Sequence, residues 1–174
     1  MNMRDLYENI MYLARNLSNF LSRGNYPDYL SHDWIPAEGT PLFERAMRDK
    51  LITRRGGKKC VDYKDRRVIE VKKSYDNYFI KKYGEEYYKL HKEMLKTLDT
   101  TGPEDIDRNN KFTLIGTLPL SALYVSYCCA IAGIPAQKHI NSLVSRSFDI
   151  IHSGNNNVSY SDICNSVLEA IEEE

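Results

Sequence analysis

Apolar residues recur at three- and four-residue steps along most of this chain, the spacing that places one apolar stripe along a helix. The first predicted helix ends near Gly24, and its stripe consists of Met3, Leu6, Ile10, Leu13, Leu17 and Leu21. Further along, Gly133 supplies a left-handed stop before another amphipathic helix, which Gly154 ends. Ser159 and Asp162 have the spacing of a capping box before the last predicted helix. That helix carries the stripe Tyr160, Ile163, Val167, Leu168 and Ile171.

A short helix and a basic loop are predicted between residues 40 and 60. Thr40 can cap a helix whose first position is Pro41, and we expect this helix to run to about Thr53. Gly56 and Gly57 then stop it, and because Lys and Arg flank both glycines, we expect a solvated loop. The Gly-Gly-Lys triplet lacks the glycine spacing and the hydroxyl residue of a phosphate-binding loop, which excludes that motif here.

The segment after Val68 predicts either two helices meeting near Gly84 or one long bent helix. Its apolar steps are Val71, Tyr75, Phe79, Tyr83, Tyr87, Leu90, Met94 and Leu98. Glycine costs about 1 kcal/mol relative to alanine inside a helix, so a junction at Gly84 is the easier arrangement. Residues 99–111 have turn chemistry and no apolar period, which predicts a surface loop.

Residues 112–137 carry no charge and form the most apolar part of the sequence. Thr117 can cap a helix over residues 118–132, and a helix that is apolar nearly all round belongs in the middle of a bundle. Gly116, Pro119 and several hydroxyl residues make a buried core helix the better interpretation than a membrane span. We therefore predict an all-α fold: one domain over residues 1–174, with about seven helices around a central hydrophobic helix.

Charge and cysteine usage narrow the class of protein. The formal net charge is zero, so no global attraction to nucleic acid or anionic membrane is expected. Residues 44–73 nevertheless hold twelve Lys and Arg against five Asp and Glu, whereas residues 149–174 hold six acids and no base. The basic stretch over residues 45–73 motivates an alternative, a helical nucleic-acid-binding or nucleocapsid-type viral protein. Four cysteines without a disulfide framework indicate an intracellular compartment.

No catalytic, cofactor-binding or metal-binding residue can be nominated. Nothing local ties a Ser or Cys nucleophile to any of the four histidines, and the short paired spacings of zinc sites are missing. An enzyme built from residues distant in sequence stays a third alternative. Gly133 and its neighbours resemble the turn of a helix-turn-helix motif, but Ile140 and Leu143 come one position too late. The second helix also offers only Lys138 and Arg146 to phosphates.

Three residue pairs in the middle of the chain carry a family resemblance: Tyr75-Asp76, Phe79-Ile80 and Tyr83-Gly84. With the amphipathic helix, polar loop and very apolar helix that follow, they resemble the poxvirus intracellular proteins with a Bcl-2-like fold. The likeness covers roughly residues 68–171. Those relatives place an aromatic-Asp pair and a Tyr-Gly step at a helix junction and thread one hydrophobic helix through the bundle. The resemblance implies that residues 118–132 form that central helix here.

The resemblance also implies a function. Relatives of this kind bind host proteins in the cytosol and inhibit innate immune signalling, through NF-κB or interferon induction, or inhibit apoptosis. This sequence lacks the Asn-Trp-Gly-Arg signature of the apoptosis-blocking branch and ends in three glutamates in place of a hydrophobic anchor, which favours the signalling branch. The implied partner is a host signalling or apoptotic protein, with no small-molecule substrate, and homodimer formation stays open. Candidate partner contacts are Phe43, Met47, Leu51, Tyr75 and Tyr78.

Overall fold

The computed structural model describes residues 2–5, 7, 8, 10, 12, 35–101, 110–154, 158 and 160–174. Its elements are α1 (Pro41–Arg48), β1 (Ile52–Arg55), β2 (Lys58–Val61), α2 (Arg66–Tyr75), a π-helical segment (Asp76–Ile80), α3 (Lys81–Thr101), α4 (Asn110–Ala132), α5 (Gln137–Ser153) and α6 (Tyr160–Glu172). Residues 3–5, 7, 8, 10 and 12 are also helical. The described chain is thus mostly helical, which confirms the all-α class. The rest of the predicted first helix up to Leu21, residues 102–109 of the predicted surface loop, and Ser159 lie outside the described residues.

Helix α4 occupies the centre of the bundle, where it packs against α2, α3, α5 and α6. Its residues Leu114, Leu118 and Val125 are each 1% exposed. Buried hydroxyl groups along it donate to carbonyl oxygens one turn back, as Ser126 does to Ala122 O at 2.7 Å. These bonds satisfy polar atoms that would otherwise be costly to bury. The apolar side chains of α4 are therefore packed against the apolar sides of the four neighbouring helices.

One stretch in the described chain, Leu114–Ala132, has the length and composition to span a membrane. In this structure 67% of that stretch is buried inside the protein, as in the core helix of a bundle. The burial comes from packing against α2, α3, α5 and α6.

The predicted start of α4 is wrong, because the helix already begins at Asn110. Thr117, the expected cap, lies inside the helix and donates from Oγ1 to Leu114 O at 3.3 Å. Pro119 also lies in the interior of α4. An interior proline removes one backbone hydrogen bond and costs roughly 3 kcal/mol, which the burial of the whole helix must offset.

The chain from α2 to α3 is a single helical run. Of the two arrangements that the sequence left open, the structure has the long helix, and its irregularity is the π-helical segment and not a junction at Gly84. Helix α3 continues through Gly84, and a methyl group added there would meet Ile80 Cγ2 at 3.7 Å and Tyr88 Cε2 at 3.8 Å. Both distances are ordinary van der Waals contacts, so the packing around position 84 leaves room for a residue larger than glycine.

The apolar spacing explains the π-helical segment. From Val71 the inward-facing positions advance in four-residue steps through Tyr75, Phe79, Tyr83 and Tyr87. Each step turns an α-helix by roughly 400°, about 40° more than a full turn, so four steps would carry the apolar face well away from the core. A π-helical turn, with its i to i+5 hydrogen bonding, holds more residues than an α-helical turn. One such turn therefore brings the apolar side chains before and after it back onto the same face of the helix. The Phe79 ring thereby lies between Tyr75 and Tyr87, at centroid distances of 5.3 and 5.5 Å.

The basic loop predicted around Gly56 and Gly57 is a β-hairpin. Helix α1 ends at Arg48, well before the predicted Thr53, although its predicted start is confirmed: Thr40 Oγ1 accepts the Phe43 N–H at 3.3 Å. Both glycines have positive φ, 55° and 78°, the signature of a type I′ two-residue turn. The prediction of a loop here is therefore wrong, because residues 52–61 form two paired strands joined by a tight turn.

Three clusters of buried apolar residues hold these elements together. The main core joins the π-helical segment with α3, α4, α5 and α6. A second cluster packs the N-terminal helical residues on α2 and α4, and a third joins α1 to the hairpin through Phe43, Ala46 and Ile52. The α1–hairpin unit thus has its own small core beside the bundle. The predicted glycine stops at Gly133 and Gly154 are confirmed by φ values of 74° and 66°.

Candidate functional site

A surface cleft of about 430 Å³ lies between α2 and the carboxyl-terminal end of α4. Helix α2 and Tyr78 of the π-helical segment form one wall. The other side is formed by the end of α4 and by the turn that leads to α5. Residues from these three places line the cleft: Arg66, Arg67, Glu70, Lys73, Ser74, Tyr78, Ser126, Cys129, Ala130, Gly133, Ile134, Pro135 and Ala136.

The α2 wall of the cleft is basic. Arg66, Arg67 and Lys73 are exposed there, and the single acid on the same wall is Glu70. Arg67 is held in place by Asp65, whose Oδ2 lies 3.1 Å from Arg67 Nη2. Neither Arg66 nor Lys73 has an acidic partner within ion-pair distance among the described residues. The wall therefore offers positive charge to a ligand.

Asp65 also sets where α2 begins. Its Oδ1 accepts the Arg67 N–H at 2.9 Å, and its Oδ2 accepts the Met3 N–H at 3.3 Å. The hydrogen bond from the Arg67 side chain lowers the pKa of this carboxyl, with smaller contributions from the backbone N–H groups of Arg67 and Met3. One carboxylate thus caps the helix, orients an arginine of the cleft and fastens the N-terminal segment.

The base of the cleft is apolar, and its cysteine and serine side chains are unreactive. Cys129 lies there, fully buried, and desolvation raises the pKa of its thiol to about 12. Because only the thiolate is strongly nucleophilic, Cys129 stays inactive near neutral pH. Ser126, also buried, donates its hydroxyl proton to Ala122 O in the helix backbone. The cleft can therefore bind a ligand but presents no activated nucleophile among these residues.

The five predicted partner contacts lie in three separate places. Tyr78 is half-buried and lines the cleft. Phe43 is 6% exposed in the α1–hairpin core, with Met47 and Leu51 partly buried against it. Tyr75 is 1% exposed, within the main core. The structure does not bring these residues together, and a partner could reach Phe43 or Tyr75 only if the local packing opened.

The other titratable side chains in the part of the chain that the structure describes form small ion pairs and no obvious reaction centre. Buried His139 has Nε2 3.3 Å from Glu174 Oε2, and Lys138 pairs with the other oxygen of the same carboxylate. Lys138 first and His139 second lower the pKa of Glu174. Within the described ranges, no group of three or more His, Cys, Asp or Glu side chains could hold a metal ion.

Sequence reasoning missed the basic wall of the cleft. Its signal was present, because Arg66 and Lys73 lie seven positions apart and so face the same side of a helix. The opposite side of the cleft, at the end of α4, had no comparable signal, since its small and apolar residues match those of an ordinary core helix.

Comparison with known proteins adds no assignment: no protein-family model, no curated protein and no solved structure matches this chain.

Proposed function

We propose that this chain is a viral Bcl-2-like protein that binds host proteins and inhibits innate immune signalling, by damping NF-κB or interferon induction, or inhibits apoptosis. The observation that carries the proposal is the arrangement of α4, whose residues 112–132 carry no charge and which packs against α2, α3, α5 and α6. The same arrangement is implied by the family resemblance that Tyr75-Asp76 carries, although Tyr83-Gly84 lies inside α3 and not at a helix junction as in that family. With its apolar centre enclosed, the protein acts through its outer surface.

The cleft between α2 and α4 is the surface that best fits a protein partner. It combines a basic wall with an apolar base and with the half-buried ring of Tyr78. Aromatic and arginine side chains carry a large part of the binding energy in protein interfaces. A partner segment with acidic residues beside an apolar side chain matches this surface in charge and in chemistry.

The proposal is tested by capture from host cytosol with two double variants. Lys73→Ala/Tyr78→Ala removes one lysine and one phenol ring from the cleft. Tyr88→Ala/Lys92→Ala removes the same groups from the surface of α3, where Tyr88 is 37% exposed. We expect the wild type and the α3 variant to retain a host signalling adaptor, a kinase or a death-promoting protein, and the cleft variant to lose it.

Two outcomes would reject the proposal: recovery of nucleic acid without any host signalling or apoptotic protein, or equal capture by both double variants when both fold. Titration with peptides from death-promoting helices separates the two branches. Measurable binding of such a peptide assigns the apoptosis branch, and its absence together with capture of a signalling protein assigns the signalling branch.

A further inference from the structure

The β-hairpin carries two pairs of cations that face each other across its strands. Its register places Arg54 opposite Lys59 and Arg55 opposite Lys58. Directly opposed residues share a face of the hairpin with Cβ atoms about 5 Å apart, and like charges in such positions destabilise a strand pair. Each pair of cations therefore needs either a nearby acidic group that offsets the repulsion or a function that requires the two positive charges.

The inner pair has its counter-charge within the chain. Glu38 Oε1 lies 2.8 Å from Arg54 Nη2 and 2.7 Å from Lys59 Nζ, and the hydrogen bond from Lys59 lowers the pKa of Glu38. Lys59 Nζ also lies 5.2 Å from the centre of the Phe43 ring. This pair belongs to the packing of the hairpin on α1.

The outer pair has no such partner in the described chain. Arg55 and Lys58 are both exposed, and neither lies within ion-pair distance of an acidic group in the ranges that the structure describes. They flank the turn residues Gly56 and Gly57, and a Cβ atom built on either glycine would meet nothing within 4 Å. The hairpin tip is thus an open surface with two uncompensated positive charges.

Lys50 adds a third cation at a position that suits lysine poorly. It is the first residue after the cap of α1, where the Lys50 N–H donates to Met47 O at 3.1 Å and the Leu51 N–H donates to Ala46 O at 2.8 Å. These two bonds form a Schellman motif, whose left-handed position favours glycine. Lys50 nevertheless adopts φ 53°, the sole positive φ of a non-glycine residue in the described chain. A residue that violates a local preference is often retained for function.

We propose that Lys50, Arg55 and Lys58 form a binding surface for the phosphate backbone of duplex DNA. The arginine fork and the lysine ammonium groups are the usual partners of phosphate oxygens. Arg55 and Lys58 lie at the tip of a two-stranded antiparallel ribbon, and a major groove about 12 Å wide admits such a ribbon. The inference goes beyond the proposed protein-binding function and is independent of it.

Other polyanions match this surface less well. Residues 53–60 contain no aromatic ring on which unpaired bases could stack, which disfavours single strands. The same residues contain no large aliphatic or aromatic side chain that could enter a lipid surface, which disfavours a membrane.

The test is binding of the full chain to a labelled DNA duplex of about 20 base pairs, measured by fluorescence anisotropy as a function of salt from about 50 mM upward. Arg55→Ala/Lys58→Ala removes the outer pair, and the matched control Lys89→Ala/Lys92→Ala removes two exposed lysines from α3 with the same change in net charge. Each phosphate contact contributes about 0.9 to the slope of log K against log salt. We expect the hairpin variant to lower affinity by about tenfold at low salt and to reduce the slope by about 2, and the control to match the wild type.

A second variant separates binding from folding. Lys50→Gly relieves the unfavourable φ and removes a charge, so we expect its Tm to rise and its affinity for the duplex to fall. A weakened fold cannot produce these opposite changes. The proposal is overturned if the wild type does not bind the duplex at low salt, if both double variants bind alike, if Lys50→Gly keeps full affinity, or if polyglutamate or anionic vesicles of phosphatidylserine bind as tightly as the duplex.

Discussion

Asp65 joins the start of α2 to the N-terminal segment through one carboxylate, which accepts hydrogen bonds from Arg67 and from the Met3 N–H. These bonds lower the pKa of Asp65 below its ordinary 3.8. A carboxyl whose pKa is lower in the folded state stabilises the fold above its unfolded pKa, and this contribution is lost as the pH falls through the folded value.

We therefore predict a pH-dependent effect of Asp65→Asn. Asparagine is as good a helix cap as aspartate, so the substitution removes mainly the charge that pairs with Arg67. The variant should melt below the wild type at neutral pH, and the difference in Tm should close as the pH falls below about 4. Thermal melts between pH 7 and pH 2 measure this, with exposed Asp149→Asn as the control. A difference in Tm that stays constant down to pH 2 would contradict the assigned role.

Gly84 gives a second prediction for a single residue. It lies within α3, and an added methyl group would make only ordinary contacts with Ile80 and Tyr88. Because alanine is the better helix former, we expect Gly84→Ala to raise the free energy of unfolding by about 0.5–1 kcal/mol. Denaturant titration measures the change. A clear loss of stability would show that the backbone at Gly84 departs from a helix or has less room.

At the scale of elements, the π-helical segment corrects the register between α2 and α3. Deleting Asn77, an exposed residue of that segment, should convert it into regular α-helix while the apolar positions on either side stay aligned. Deleting Lys89 from α3 should instead rotate Leu90 and Met94 by about 100° away from the core. Each misplaced apolar side chain costs about 2–5 kcal/mol.

Circular dichroism and thermal melting distinguish these two deletions. We expect the protein without Asn77 to keep its helix content and a cooperative transition close to that of the wild type. The protein without Lys89 should melt at a much lower temperature or not fold. Equal damage from both deletions would show that the π-helical segment does not absorb a residue.

Much of the fold, but only part of the candidate site, could be predicted from the sequence. The all-α class, the start of α1 and the glycine stops at Gly133 and Gly154 followed from periodicity and from capping chemistry, because both are local. The hairpin was missed although Gly56-Gly57 is a type I′ turn signal, because its strands ITRR and KKCV are mostly charged and lack a clear apolar alternation. The π-helical segment was also missed, although the four-residue steps from Val71 to Tyr87 carried its signal.

The cleft depends on tertiary packing, which explains why sequence patterns did not reveal it. Arg66 and Lys73 were visible as a basic stretch, but their position opposite Ala130 follows from how α2 crosses α4. Tyr75 and Phe43 were predicted as partner contacts, yet their large apolar rings lie in apolar cores. Periodicity indicates which residues can be buried, whereas the packing decides which of them stay accessible.

At the scale of the whole molecule, the bundle around α4 and the α1–hairpin unit have different stability. The bundle unites five helical segments around one core, whereas the hairpin rests on a small cluster made by Phe43, Ala46 and Ile52. Few buried apolar contacts imply a low free energy for local opening. The proposed protein-binding cleft therefore lies on the more rigid part of the molecule, and the proposed DNA-binding tip on the less rigid one.

Native-state hydrogen exchange tests the central claim most directly, namely that α4 is enclosed and only outer surfaces remain for partners. We predict that amides in residues 114–129 exchange most slowly, through global unfolding alone, and that residues 52–61 of the hairpin exchange faster through local opening. Exchange of residues 114–129 as fast as that of the hairpin would place α4 at the periphery and contradict the account.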